Sequence, residues 1–301
     1  MALTDREKAE LVGALRTRHR LNDLLGALGM VRSSYQCQVA AMAEPDKYAE
    51  LRGRVRAAFE ESDSRYGYRR ICLELYDEDG GAAASEKVIA RIMREEGLVA
   101  KAPKRRRAYS SYAGEISEAP ENLPLREDGT HDFSAGAPNE KWLTDVTEFS
   151  IPAGKVYLSP IVGGLDGMVV SHALSTSPNT ELANSSLLAA CATLPEGEHP
   201  ICHSDRGSHY RWPGWIAICE GHGLVRSMSR KGRSPDNAAC EGFFGRLKVE
   251  FFHGRDWSGV TAEEFMDEPG AYIRRYNERR IKLTLGGLNP IQYRRKMGLA
   301  A

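Results

Sequence analysis

Three carboxylates, Asp145, Asp205 and Glu241, occur where local patterning makes an acid unexpected. Asp145 interrupts a half-buried extended run, with Thr144 before it and Val146 and Thr147 after it. An unpaired carboxylate there is costly to bury, which favours a cation beside it. Asp205 follows the apolar Ile201-Cys202 in His203-Ser204-Asp205-Arg206-Gly207-Ser208. That is the carboxyl end of a strand, the edge where open α/β sheets bind ligands. Glu241 belongs to a long helical pattern. Convergent oxygen donors without a thiolate or imidazole cluster suit a hard divalent ion, Mg²⁺ or Mn²⁺.

The helix that carries Glu241 adds a second feature. Phe243, Phe244, Leu247 and Phe251 supply its apolar contacts, whereas Glu241, Gly245 and Lys248 recur at i, i+4 and i+7 on one face. A carboxylate, a position without a side chain and an ammonium form a strip along which a phosphodiester can approach. Of the nearby acids, Glu148 should face away from Asp145 on a strand, Asp166 suits a turn, and Asp236 suits a first helical turn. His203 and His209 are read as structural or DNA-contacting rather than as bases.

The elements that must position these residues run from extended to mixed. Strands are predicted over 142–149, 156–162 and 168–174, with a tight turn at Pro152-Ala153-Gly154 between the first two. Helices over 180–194, 213–222 and 235–252 then alternate with strands over 200–203 and 224–228. Three antiparallel strands followed by alternating helices and strands make a mixed α/β sheet. Ahead of it, 1–61 reads as helical, with a possible helix-turn-helix between 5 and 35. Residues 62–112 form a second helical unit that ends in the basic run Lys104, Arg105, Arg106 and Arg107, followed by Tyr109 and Tyr112. Such a run suits a phosphate backbone. An acidic linker covers 113–138, a catalytic core 139–258 and a helical extension 259–301.

Composition bounds the class. The chain has 301 residues, 42% hydrophobic, which excludes fibrous and wholly disordered proteins. No apolar stretch reaches bilayer length and the first ten residues lack a signal core, so a cytosolic protein is expected. The six cysteines are scattered and read as reduced thiols. Lys+Arg and Asp+Glu are both 41, a balance that argues against a nucleic-acid partner until it is divided along the chain. Residues 1–112 carry net +4, 113–200 net −10 and 201–301 net +6. Basic segments therefore flank an acidic middle that contains the linker and Asp145.

Thirty-five residues separate Asp205 from Glu241, and Lys248 lies seven beyond the Glu. With Trp142-Leu-Thr-Asp145, His203-Ser-Asp205-Arg-Gly207, Asp236-Asn237, Glu241-Gly-Phe-Phe244, Leu247-Lys248-Val-Glu250 and Tyr276-Asn277 followed by Arg280, the chain resembles the DDE catalytic core of retroviral integrases and insertion-element transposases. It is most similar to the second-reading-frame product of insertion sequence family three. Arg65-Tyr-Gly-Tyr-Arg69-Arg70 and Met93-Arg-Glu-Glu-Gly-Leu98 resemble the DNA-binding region that precedes the core in that family. The departure is Asp166-Gly167-Met168, where the family places Ser and a basic residue after the Asp.

The resemblance implies a ribonuclease-H-like core behind helix-turn-helix-like units. It implies an Asp145, Asp205 and Glu241 triad that holds two Mg²⁺ ions, with Mn²⁺ as a substitute, for strand cleavage and strand transfer. Lys248, Asn237, Arg69, Arg70, Arg280 and the basic run 104–107 are the expected DNA contacts. Implied partners are double-stranded DNA bearing the element's inverted repeats and target, further copies of the chain and a small first-frame protein. The alternatives are a catalytically silent DNA-binding protein and a metal nuclease without transposition.

Overall fold

The computed structural model describes residues 3–44, 46–76, 83–101, 120–230 and 238–299. Asn237, Asp236, Lys104, Arg105, Arg106 and Arg107 lie outside the described residues.

The centre of the chain is a six-stranded mixed sheet. Strand β3 (Gly154–Gly163) is its spine. One edge of β3 pairs antiparallel with β4 (Val169–Ser175). The other edge carries both β1 (Lys141–Thr144) and β2 (Thr147–Ile151). Thr144 is opposite Ile161 and Thr147 is opposite Leu158, so one register runs through both strands and they behave as a single strand broken at Asp145-Val146. Asp145 thereby falls opposite Pro160, which has no N–H for a ladder bond. Beyond β1 the sheet turns parallel, with β5 (Ile201–Ser204) and then β6 (Val225–Met228). The α/β mixed sheet read from the sequence is the sheet observed.

Strand alternation splits the core. Trp142, Ile161, Cys202 and Met228 point to one face, where α7 (Thr180–Cys191) and α8 (Pro213–Gly221) cover them with Leu187, Trp215 and Cys219. Leu143, Phe149, Val162 and Val169 point to the other, against α9 (Ala238–Leu247) and α10 (Ala262–Glu278). Asn179 caps α7, and a Thr261–Glu264 capping box starts α10. Residues 248–252, expected to continue α9 as α-helix, form a π turn closed by His253 N–H donating to the Lys248 carbonyl at 2.6 Å.

Ahead of the sheet lie two helical clusters. Helices α1 (Asp5–Leu15), α2 (Leu21–Ala27) and α3 (Arg32–Ala43) enclose Val12, Leu25, Met30 and Tyr35. Helix α4 (Ala49–Glu61) packs instead with α5 (Tyr68–Glu74) and α6 (Glu86–Glu95), around Val55, Phe59, Ile71, Ile89 and Ile92. Ile281, from beyond α10, also lies in that second cluster.

The segment after α10 is fastened by two buried ion pairs. Arg280 meets Glu250 of the π turn, Nη2 to Oε1 at 2.6 Å, with side chains 6% and 8% exposed. Arg294 of α11 (Pro290–Lys296) meets Asp166 in the β3–β4 turn at 2.6 Å. This corrects the expectation that Arg280 contacts DNA, because its guanidinium is consumed inside the protein. Asp166 is likewise a buried anchor as well as a turn residue. Burial pushes the Glu250 carboxyl up, but Arg280 and the Tyr272 hydroxyl outweigh burial and hold it below its ordinary value.

Glu250→Ala, which strands Arg280, is expected to cost about 3–5 kcal/mol in urea unfolding at neutral pH. Because the folded Glu250 value is depressed, its contribution is present above 4.5 and lost as pH falls below that, so wild type and variant should converge in acid.

Candidate active site

The parallel β1–β5 ladder brings the first two acids together. Leu143 is in register with His203, so two residues further on Asp145 stands beside Asp205, each the first residue past its strand. Neighbouring strands are about 4.8 Å apart. Local N–H donors orient both carboxylates, since Val146 N–H donates to Asp145 Oδ1 at 2.7 Å and Gly207 N–H to Asp205 Oδ1 at 2.8 Å. Gly207 is required for space. A Cβ there would lie 2.9 Å from Asp205 Oδ1 and from the His209 ring. Tyr210, fully buried, lies beneath with its hydroxyl 3.4 Å from Thr144 Oγ1.

Glu241 arrives from the first turn of α9, whose neighbouring residues Cys240, Phe243 and Phe244 pack against the β1–β2 side of the sheet. It is exposed, and its charge reaches Asp145. Burial, then Asp205, then Glu241 push the Asp145 carboxyl up to about 7, against the Val146 N–H and the Lys248 ammonium. The sequence-predicted triad is therefore one electrostatic cluster. Among the described residues, no three His, Cys, Asp or Glu side chains are already gathered tightly enough to hold a metal ion. The donor set nevertheless fits a hard cation: all donors are oxygens, and the buried acid carries an electrostatic penalty that a positive charge removes.

The remaining predicted residues separate. Lys248 lies over the Phe149 ring at 5.6 Å and acts on Asp145. Among the described residues, nothing stands within 4 Å of a Cβ built on Gly245, so they leave the strip between Glu241 and Lys248 open. Arg69 is 61% exposed near Glu86. Arg70 is half-buried and donates through Nε to the Ile281 carbonyl at 3.0 Å, which corrects its reading as a free DNA contact. His203, read from the sequence as structural or DNA-contacting, is held between Ser227 Oγ at 2.9 Å and Ser229 Oγ at 3.2 Å. Sequence reasoning missed Tyr210 and Gly207 as supports, although both stand in the string that carries Asp205.

An HTH-like domain family matches residues 47–107, and integrase core domain families match 135–234 and 241–297. A putative transposase InsK for insertion sequence element IS150, from Escherichia coli (strain K12), is 40% identical over 285 residues, 95% of this chain and 97% of that protein. The chain belongs to the insertion-sequence transposases. A probable transposase for insertion sequence element IS1353, from Shigella flexneri, is 52% identical over 301 residues, 99% of this chain, but the chain spans only 57% of that protein. A transposase InsF for insertion sequence IS3A, from Escherichia coli (strain K12), is 34% identical over 244 residues, covering 80% and 81% of the two chains. The sheet is thus that of an integrase core domain, and the second core match takes in α9, α10 and α11 of this transposase.

An Asp145 carboxyl raised from 3.8 to about 7 keeps a proton that the unfolded chain has lost, so stability should fall as pH rises through that window. Asp145→Asn should remove that fall. Melting temperatures of the metal-free proteins from pH 4 to pH 8 test this, and parallel curves would show that the acid is not held uphill.

Proposed function

We propose that the chain binds the terminal inverted repeats of its insertion element and catalyses divalent-metal-dependent strand cleavage and strand transfer through Asp145, Asp205 and Glu241. The observation that carries this reading is the register-matched pair Asp145 and Asp205, with the charge of Glu241 reaching the same buried carboxylate. The three carboxylates would hold Mg²⁺, replaceable by Mn²⁺, two ions per site. Bound there, such ions activate the attacking oxygen and neutralise the leaving one.

The chain's own residues do the rest. The Val146 and Gly207 N–H groups aim the carboxylates. The open strip at Gly245 admits a phosphodiester, and Lys248 supplies positive charge beside Asp145. Burial of Tyr210, Cys240 and Phe243 behind the acids keeps water from that side. Exposed Lys87, Arg91 and Arg94 on α6, with Arg69, present the HTH-like unit to DNA phosphates, and Asn237 and the run 104–107 extend that contact. The acting form is an oligomer on DNA in the cytosol, joined by the first-frame protein, with 62–112 binding DNA and 139–258 catalysing.

The test uses DNA that carries the element ends, with Mg²⁺, wild type and Glu241→Gln. Wild type should nick and join the ends and lose activity when EDTA removes the metal. The variant should bind with unchanged affinity and show only background chemistry. Equal activity in both would overturn the site, and metal-independent binding without chemistry in either would favour a silent DNA-binding protein.

A further inference from the structure

The HTH-like family match begins at residue 47, which leaves α1, α2 and α3 without an assigned role. These helices have a core of their own, which among the described residues shares no buried residue with the α4–α6 cluster. Their connection has a defined geometry. Helix α2 ends at Ala27, Gly29 takes the left-handed conformation at φ +58°, and α3 starts at Arg32. Gly29 N–H donates to the Gly26 carbonyl at 3.2 Å and Met30 N–H to the Leu25 carbonyl at 2.9 Å. This is a Schellman closure, which only a residue tolerant of positive φ makes easily. A seven-residue helix, a four-residue turn that holds this glycine and a longer third helix make a helix-turn-helix.

The surface of the unit has one chemical character. Tyr35 anchors α3 in the cluster, while Arg32, Ser33 and Gln36 on the first turns of that helix are exposed. Arginine and glutamine are the side chains that read guanine and adenine edges bidentately in the major groove. Helix α3 contains no acid. Between residues 16 and 43 there are four arginines and one acid, Asp23. Three of those arginines, Arg16, Arg18 and Arg20, are exposed in the connection that leads into α2, the helix that crosses the backbone in this motif.

We propose that residues 3–44 are a second, independent DNA-reading unit, in which α3 enters the major groove of the element end and the Arg16–Arg20 connection grips the adjacent phosphates. Recognition of each end is then bipartite, shared between this unit and the HTH-like unit that carries α6. The inference rests on the transposase reading and adds to it a second determinant of which DNA is chosen.

The test is footprinting and salt-dependent binding of the full chain on duplexes from the element's two ends, against a scrambled duplex of equal length. Wild type should protect two separate blocks on each end. Arg32→Ala combined with Gln36→Ala, both exposed, should erase one block and weaken end binding roughly 5- to 150-fold for each base contact removed, with scrambled-DNA affinity and melting temperature unchanged. Replacing Arg16, Arg18 and Arg20 with Ala should weaken both duplexes and reduce the salt slope by about 0.9 for each phosphate no longer neutralised. Lys87→Ala with Arg91→Ala on α6 should erase the other block. A single block, abolished only in the α6 variant and untouched by changes at Arg32 and Gln36, overturns the proposal and leaves the transposase reading standing. No protection of the ends by wild type overturns both.

Discussion

Two like charges held side by side at the carboxyl ends of β1 and β5 set the terms for everything around them. The parallel ladder places Asp145 beside Asp205 because Leu143 and His203 share a register. Neither acid can retreat, since the strands before them are buried between α7 and α8 on one face and other packed elements on the opposite one. Repulsion and burial together raise the Asp145 carboxyl, and the surrounding fold must outweigh that penalty. The break between β1 and β2 is part of the same solution. Asp145 falls where β3 carries Pro160, so the ladder loses little by opening there, and the Val146 N–H is released to the carboxylate.

The arginine pairs of the C-terminal segment fasten the elements packed around the sheet. Glu250 follows Glu241 on the same continuous helical run, and Arg280 fixes it through hydrogen bonds of 2.6 to 3.1 Å, with the Tyr272 hydroxyl adding another at 2.9 Å. Arg65, from the turn ahead of α5, donates to the Glu250 carbonyl at 3.0 Å, and the Tyr66 hydroxyl accepts from Ile281 N–H at 2.9 Å. The HTH-like unit and the helical run that carries Glu241 thus meet at Glu250. Removing either partner of such a pair leaves a buried charge uncompensated, which makes the junction a stringent register for both units.

Much of this was legible in the residues. The extended runs followed by alternating helices and strands announced a mixed α/β sheet, and the local strings around Asp145 and Asp205 singled out the two acids that the β1–β5 register sets side by side. What the sequence concealed was the sign of a basic residue's role. Arg70 and Arg280 read as DNA contacts because free and paired guanidiniums look alike in one dimension, and their partners lie 211 and 30 residues away. The π turn was hidden for a related reason. Phe251, Leu247 and Glu250 fit the inward face of an ordinary helix equally well, and only the position of Arg280 decides that an acid belongs there.

The acidic stretch between the helical units and the sheet has the composition of a linker, yet its described part covers the sheet. Ser227 Oγ donates to the Glu121 carbonyl at 3.0 Å and accepts from Leu123 N–H at 3.0 Å, while the Phe133 ring lies 5.9 Å from His203. His203, two residues before Asp205, is therefore enclosed between β6 and this strap. The three acids are consequently unequal. Asp145 and Asp205 are held by strands, backbone N–H donors and a fully buried tyrosine, whereas Glu241 stands exposed at the start of a helix. On the proposed function, the rigid pair defines where a cation belongs and Glu241 completes its surroundings from the side on which DNA arrives. The cost of the charged site then falls on the part of the fold best braced to carry it, and the reachable acid is left to the substrate face.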